Sequence, residues 1–196
     1  MQSRLIRLFD IVFSMLAIII FSPVLVIISF LVAIKMGTPI FFAQRRLGLN
    51  GKEFTVYKFR SMVSTAIVND EHLEKVNQYA IKYKNDPRIT PLGAFLRRTS
   101  LDELPQFLNV FIGNMSFVGP RPWVPEEYKN LPKEWHYRLG AKPGITGLAQ
   151  INGRSDLAMD KIVENDILWV NKQTIKHYFE VLFKTFTYTL KMKNVY

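Results

Sequence analysis

The sequence predicts an α+β protein, and three observations carry that reading. An uncharged apolar run occupies residues 11–34, a strong hairpin signal follows at residues 40–57, and short segments of helical periodicity fill much of the remainder. With 196 residues, 48% of them apolar and 13% aromatic, the chain is of single-domain size and has ample material for a core.

As a helix, residues 11–34 extend about 36 Å at about 1.5 Å per residue, enough to cross a bilayer. A cleaved signal peptide has a shorter apolar region and a small-residue cleavage site. This run instead continues into Lys35-Met36-Gly37-Thr38-Pro39, so a retained anchor is expected over residues 1–37. Arg4 and Arg7 precede it and Lys35, Arg45 and Arg46 follow, so flanking charge gives a simple span no orientation. Ser22-Pro23 lies mid-run, where proline removes a helical hydrogen bond and bends the axis. Two forms fit: a kinked spanning helix, or a bent helix that enters and leaves by one face.

Next, Ile40-Phe41-Phe42 and Phe54-Thr55-Val56-Tyr57 flank Gly48-Leu49-Asn50-Gly51, and Asn-Gly between β-prone runs marks a hairpin. Lys58 and Arg60 alternate with aromatic residues beyond it. They are expected either to share a strand face aimed at an anion or to lie on a solvated edge. Residues 64–85 are polar, mixed in charge and free of Gly and Pro, which suggests a surface helix or mobile insertion.

Asp86-Pro87-Arg88-Ile89-Thr90-Pro91-Leu92-Gly93 reads as an irregular lead-in to a short helix carrying Phe95, Leu96, Arg97 and Arg98. Then comes the most informative block, Ser100-Leu101-Asp102-Glu103-Leu104-Pro105. Pro105 fits a helix only in its first turn, so a helix is expected to start near Ser100 or Asp102, with both acids at its positive end and their pKa values lowered. Leu104, Phe107, Leu108 and Phe111 recur at helical spacing and are expected to be buried. Ser100-x-x-Glu103 also matches a capping box, a device of many helices that do no chemistry. Downstream, Gly119-Pro120-Arg121-Pro122 sets a guanidinium between two prolines, a rigid cation suited to forking onto phosphate oxygens. Paired acids beside such a cation suit phosphoryl transfer.

Lys142-Pro143-Gly144-Ile145-Thr146-Gly147 and Asn152-Gly153-Arg154 read as glycine-bearing turns with a cation each, ordinary turns or loops that approach a ligand closely. Toward the C-terminus, residues 157–193 read mainly as amphipathic helices, with lysines among Phe and Tyr. Phe186, Tyr188, Leu190 and Met192 alternate as a strand would. An interfacial, membrane-lying helix and a core-facing helix both fit.

The formal charge of +10 suits nucleic acid, an anionic membrane or a phosphorylated substrate. No nucleic-acid partner is expected, because the cations are spread among Gly/Pro turns behind an apolar anchor. The chain has no cysteine, and His72, His136 and His177 lack zinc-site spacing.

Together, the apolar start with Ser22-Pro23, Tyr57-Lys58-Phe59-Arg60-Ser61-Met62, Asp86-Pro87-Arg88, the stretch Arg97-Arg98-Thr99-Ser100-Leu101-Asp102-Glu103-Leu104-Pro105-Gln106, Gly119-Pro120-Arg121-Pro122 and Pro143-Gly144-Ile145-Thr146-Gly147-Leu148-Ala149-Gln150 closely resemble the bacterial sugar transferase family, the monotopic phosphoglycosyl transferases. The ordered match covers almost the whole chain outside the insertion.

The resemblance implies transfer of a sugar 1-phosphate from a nucleoside diphosphate sugar, usually a UDP-sugar, to polyprenyl phosphate, with Mg²⁺ as cofactor, at the first membrane step of glycan, capsule or exopolysaccharide synthesis. It implies a re-entrant helix-break-helix anchor at Ser22 and Pro23. It also implies a mainly helical catalytic domain over residues 38–196 on the cytoplasmic face of the bacterial inner membrane, with membrane lipids as partners. By the same resemblance Asp102 is the nucleophile and a contact of the metal, Glu103 its acid–base partner, and Pro120, Arg121 and Pro122 hold the nucleotide. Lys58, Arg97, Lys142, Arg154 and Asp166 are the other substrate-binding positions. Lys142 stands where arginine is usual and Trp169 where tyrosine is usual. A homodimer through the aromatic, lysine-rich ends is a further expectation. The alternative is a non-catalytic membrane-anchored scaffold that binds acidic lipids.

Overall fold

A computed structural model describes residues 4–63, 73–77, 80–83, 86–129, 131–153 and 157–191. It is α+β, with two-stranded sheets set among helices.

Helix α1 (Arg4–Met36) is uninterrupted and is long and apolar enough to cross a membrane. Its buried residues are Ile6, Asp10 and Ser14, then Ile28 and Val32, with none between. Spacing of four puts each group on one helix face. Ile6 packs with Val118, Trp169 and Tyr178, whereas Ile28 and Val32 pack with Phe59, Leu96 and Leu104. Both ends therefore dock on one folded body, while Leu16, Ile20, Val26 and Phe30 stay exposed.

Polar contacts fasten each end. Near the start, the Asp10 carboxylate accepts from Ser116 Oγ (3.0 Å), the Phe117 N–H (3.1 Å) and Tyr178 Oη (2.9 Å). Past the far end, the Arg60 guanidinium donates to the carbonyls of Met36, Gly37 and Thr38. Those carbonyls lie at and just past a helix end, where acceptors are left unpaired and the dipole is negative, so Arg60 caps the anchor.

The break expected at Ser22-Pro23 is absent as an interruption of α1. Pro23 has no N–H to give the Ile19 carbonyl, and Ser22 Oγ donates to that same oxygen at 2.8 Å. The proline is thus carried without an unpaired acceptor.

Strands β1 (Phe41–Leu47) and β2 (Glu53–Phe59) form the expected antiparallel hairpin, from Phe41 opposite Phe59 to Leu47 opposite Glu53. Asn50 and Gly51 take φ of 55° and 75° in the connection, the conformation the Asn-Gly signal anticipates. Within the insertion, the described residues contradict a helix: β3 (Leu73–Asn77) pairs antiparallel with β4 (Ala80–Tyr83). β-prone Val76, Ile81 and Tyr83 outweigh the lack of Gly and Pro there.

Helix α2 (Pro91–Arg98) carries Phe95 to Arg98 as expected but starts earlier than the lead-in reading allowed, with Pro91 in its first turn and Thr90 Oγ1 accepting from the Gly93 N–H at 3.0 Å. A 3₁₀ turn over Leu101–Glu103 follows, and α3 (Gln106–Ile112) begins only after Pro105. The face of α3 turned inward carries Gln106, Asn109 and Val110, whereas Leu108, Phe111 and Ile112 are exposed. The expected burial of Leu108 and Phe111 is therefore corrected. Asn109 earns its place by bonding β2, accepting from the Tyr57 N–H (3.2 Å) and donating to the Thr55 carbonyl (2.7 Å).

Strand β5 (Ser116–Val118) pairs parallel with β6 (Gly144–Thr146). Between them lie α4 (Pro125–Tyr128) and a 3₁₀ segment, Lys133–Gly140. A Cβ on Gly119 would sit 2.2 Å from the Lys142 carbonyl oxygen, and one on Gly144 would sit 2.1 Å from the Gly119 nitrogen. These glycines let two chain segments meet, where a close approach to a ligand was one expectation. Helices α5 (Leu148–Asn152), α6 (Met159–Asn171) and α7 (Ile175–Lys191) complete the body. The alternation at residues 186–192 is overridden by helix through Lys191, with Phe183 and Phe186 exposed.

Candidate active site

The site grows from the kink between α2 and α3. Ser100 takes φ 57° and makes no side-chain cap, so the capping box is not formed. An N-cap needs extended backbone to aim its hydroxyl at the third N–H, and the left-handed conformation turns it away. Instead the 3₁₀ turn points Asp102 inward, 8% exposed, and leaves Glu103 half-buried beside it.

These adjacent carboxyls titrate apart. Burial, reinforced by the Glu103 charge, pushes Asp102 up to about 6 against the opposing pull of Lys58 and Arg97. Glu103 moves the other way. Burial raises it, but the charges of Lys58 and Arg121 and hydrogen bonds from Lys58 and Gln106 together win, and its carboxyl falls below the usual range. The lowering expected of both acids at a helix mouth therefore holds for Glu103 alone, and its source is these side chains. Lys58, from the end of β2, donates to Glu103 Oε1 at 2.5 Å. Asp102 takes no side-chain hydrogen bond among the described residues. Environments that separate two carboxyls in this way mark distinct chemical roles.

The Arg121 charge acts on Glu103 from the loop between β5 and α4. Its side chain is exposed while its backbone is fixed on all sides. Gly144 N–H donates to the Pro120 carbonyl (2.9 Å), Arg138 to that of Arg121 (2.8 Å), Arg46 to that of Pro122 (3.1 Å) and Leu47 N–H to that of Trp123 (2.9 Å). Carbonyl oxygens repel anions, and here they are spent on the protein. A shallow depression beside the loop is lined in part by Gly48, Pro120, Arg121, Pro122 and Arg138.

The structure thus gathers Lys58, Arg97, Asp102, Glu103 and Arg121. It does not bring Lys142 there. Lys142 lies by Gly113, at the opposite end of α3, where burial and the Arg7 charge lower its pKa while Asp10 opposes them. Asp166 is 1% exposed and faces no open surface; its Oδ2 accepts from Arg138 Nε (2.9 Å) and a terminal nitrogen (2.6 Å). Arg154 lies outside the described residues. Sequence reasoning missed Arg138 and Gln106. Gln106 sits one turn after Glu103 on the buried face, a spacing that hints at the contact, whereas nothing local marks Arg138.

A divalent cation fits this donor set. Mg²⁺ is commonly held by one or two carboxylates together with substrate phosphates and water, and Asp102 offers an unshared carboxylate. No cluster of three or more His, Cys, Asp or Glu exists among the described residues to form an all-protein cage.

The chain matches the bacterial sugar transferase family over residues 1–192. It belongs to that family. It is 42% identical over 197 residues to the undecaprenyl-phosphate galactose phosphotransferase of Salmonella typhimurium, covering 97% of this chain and 41% of that protein. It is 42% identical over 184 residues to the UDP-glucose:undecaprenyl-phosphate glucose-1-phosphate transferase of Escherichia coli, covering 90% and 38%. To the exopolysaccharide production protein ExoY of Rhizobium meliloti it is 38% identical over 186 residues, covering 91% and 82%. The chain spans about two-fifths of the Salmonella and Escherichia proteins.

Proposed function

We propose that the protein is a phosphoglycosyl transferase that moves a sugar 1-phosphate from a UDP-sugar to undecaprenyl phosphate, through a covalent intermediate on Asp102. The observation that carries this reading is the divergence of Asp102 and Glu103. A poorly solvated carboxylate of raised basicity is a better nucleophile, and its ionised neighbour is held by Lys58 and Gln106.

Asp102 attacks the phosphorus that bears the sugar. An O–P bond forms to its carboxylate, the P–O bond to the nucleotide phosphate breaks, and UMP leaves. The lipid phosphate oxygen then attacks the same phosphorus, Glu103 takes the proton that oxygen carries, and the aspartyl O–P bond breaks to restore Asp102. Arg121 forks onto the diphosphate, and Lys58 keeps Glu103 ionised. Asp102 would hold Mg²⁺ together with diphosphate oxygens, where the ion would offset the negative charge brought toward the carboxylate.

The anchor is re-entrant in this proposal, with the catalytic body on the cytoplasmic face of the inner membrane. Docking of both ends of α1 on one body supports that path, because a simple span would put those ends on opposite faces. Exposed Leu108, Phe111, Ile112, Phe183 and Phe186 supply apolar surface for an interfacial seat. UMP release on mixing the protein with UDP-sugar, Mg²⁺ and undecaprenyl phosphate tests the reading. A lipid-binding scaffold would release none.

A further inference from the structure

We propose that Arg138 is a positioning residue that presets the Arg121 guanidinium for the sugar nucleotide, with Asp166 as its buried counter-charge. The inference rests on the reading of Arg121 given above. Arg138 and Asp166 are each 1% exposed, so although Arg138 borders the depression beside the loop, its charge is spent on protein partners. One terminal nitrogen of Arg138 serves both Asp166 Oδ2 (2.6 Å) and the Arg121 carbonyl (2.8 Å), and its guanidinium carbon lies 3.7 Å from the centroid of the Trp123 ring. A single side chain therefore grips the residues on both sides of Pro122.

The grip has a chemical reason. Pro120 and Pro122 have no N–H, so much of the loop can be held only through its carbonyls. A guanidinium is suited to that duty, since its planar fork gives several donors at once and its face stacks on an aromatic ring. A buried ion pair is a poor source of stability compared with apolar side chains of equal volume, so its value here lies in fixing geometry. Asp166 keeps Arg138 charged and fixed without reaching the loop itself. Its place near the site in the sequence pattern is explained by that indirect role.

The test compares Arg121→Ala, the paired replacement Arg138→Met with Asp166→Leu, and all three changes together, in full-length detergent-solubilised protein. The paired replacement leaves no unpaired buried charge, so it is expected to melt cooperatively near the wild-type temperature. Its KM for UDP-sugar is expected to rise about tenfold, the loss of one charge-assisted contact, while KM for undecaprenyl phosphate stays within about twofold. Adding Arg121→Ala to it is expected to raise KM for UDP-sugar little further. Arg138→Lys guards against a folding failure: it keeps a cation for Asp166 but loses the fork and the stacking plane, and the same selective rise is expected. If Arg121→Ala raises KM for UDP-sugar while the paired and lysine variants keep the wild-type value, the positioning role is overturned and the reading of Arg121 stands. If Arg121→Ala itself leaves that KM unchanged, both are overturned.

Discussion

Lys58 Nζ and Glu103 Oε1 lie 2.5 Å apart, joining the end of the β2 strand to the turn that carries the paired acids. Both side chains are about three-quarters covered, at 22% and 24% exposure, so the bond is shielded from bulk water without being cut off from it. Removing the cation strands a half-buried carboxylate. Lys58→Met is expected to cost about 1–3 kcal/mol of stability and to lower turnover about 100-fold. Thermal melts and UMP release measure the two losses separately. A variant that melts lower but turns over at the wild-type rate would show that the pair serves the fold alone.

Asp102→Asn is nearly isosteric and cannot attack phosphorus. It is expected to fold, to bind detergent micelles as the wild type does, and to release no UMP. Wild-type protein given UDP-sugar and Mg²⁺ without lipid is expected to gain one sugar-phosphate mass, with tandem mass spectrometry placing it on Asp102. Modification at any other residue would rule out the mechanism.

For the anchor, the chain has no cysteine, so single thiols can be placed at will. Thiols at Leu5 and Lys52 are expected to share the same protection from an impermeant reagent applied outside intact cells. Labelling at Leu5 alone would establish a span.

Asp86 provides a pH test away from the site. Hydrogen bonds from Arg88, chiefly those of its side chain, hold the Asp86 carboxyl below its ordinary value, against the pull of burial. The folded pKa lies under the unfolded one, near about 3.9, so this stability is complete above that pH and is lost as pH falls through the folded value. Because Arg88 is a third exposed, Asp86→Asn is expected to cost a modest amount, about 0.5–1.5 kcal/mol at pH 7. The gap between variant and wild type is expected to close below about pH 4. Denaturant melts across that range check the sign.

Phe183 and Phe186 are 69% and 64% exposed on α7. Their joint replacement by serine is expected to leave the melting temperature in detergent unchanged and to weaken partition onto anionic vesicles, by about 1.5–3 kcal/mol per ring if each is fully buried in lipid. Sedimentation with vesicles measures it.

What the sequence made legible was what local chemistry writes. The Asn50-Gly51 turn and the crowded prolines around Arg121 each announce a backbone shape within a few residues. Arg138 was not legible, because its meaning comes from Asp166 in α6 and a carbonyl seventeen positions earlier. Periodicity also misled at α3. It counts apolar side chains as inward, whereas Leu108, Phe111 and Ile112 face outward and polar Gln106 and Asn109 bond within. In the proposed interfacial seat a second apolar solvent would reverse that rule on the surface turned to lipid.

The Ser22 hydroxyl, by answering the Ile19 carbonyl, makes the proline turn of α1 chemically self-contained. An unanswered carbonyl in hydrocarbon costs several kcal/mol, and many proline-bearing membrane helices borrow a donor from a neighbour. This turn needs no donor from a partner, so it can follow the local thickness of a bilayer without breaking a bond to another helix. Because both ends are fastened to the body, the paired carboxylates travel with the helix, and in the proposed reaction this would hold them at one height relative to the lipid phosphate.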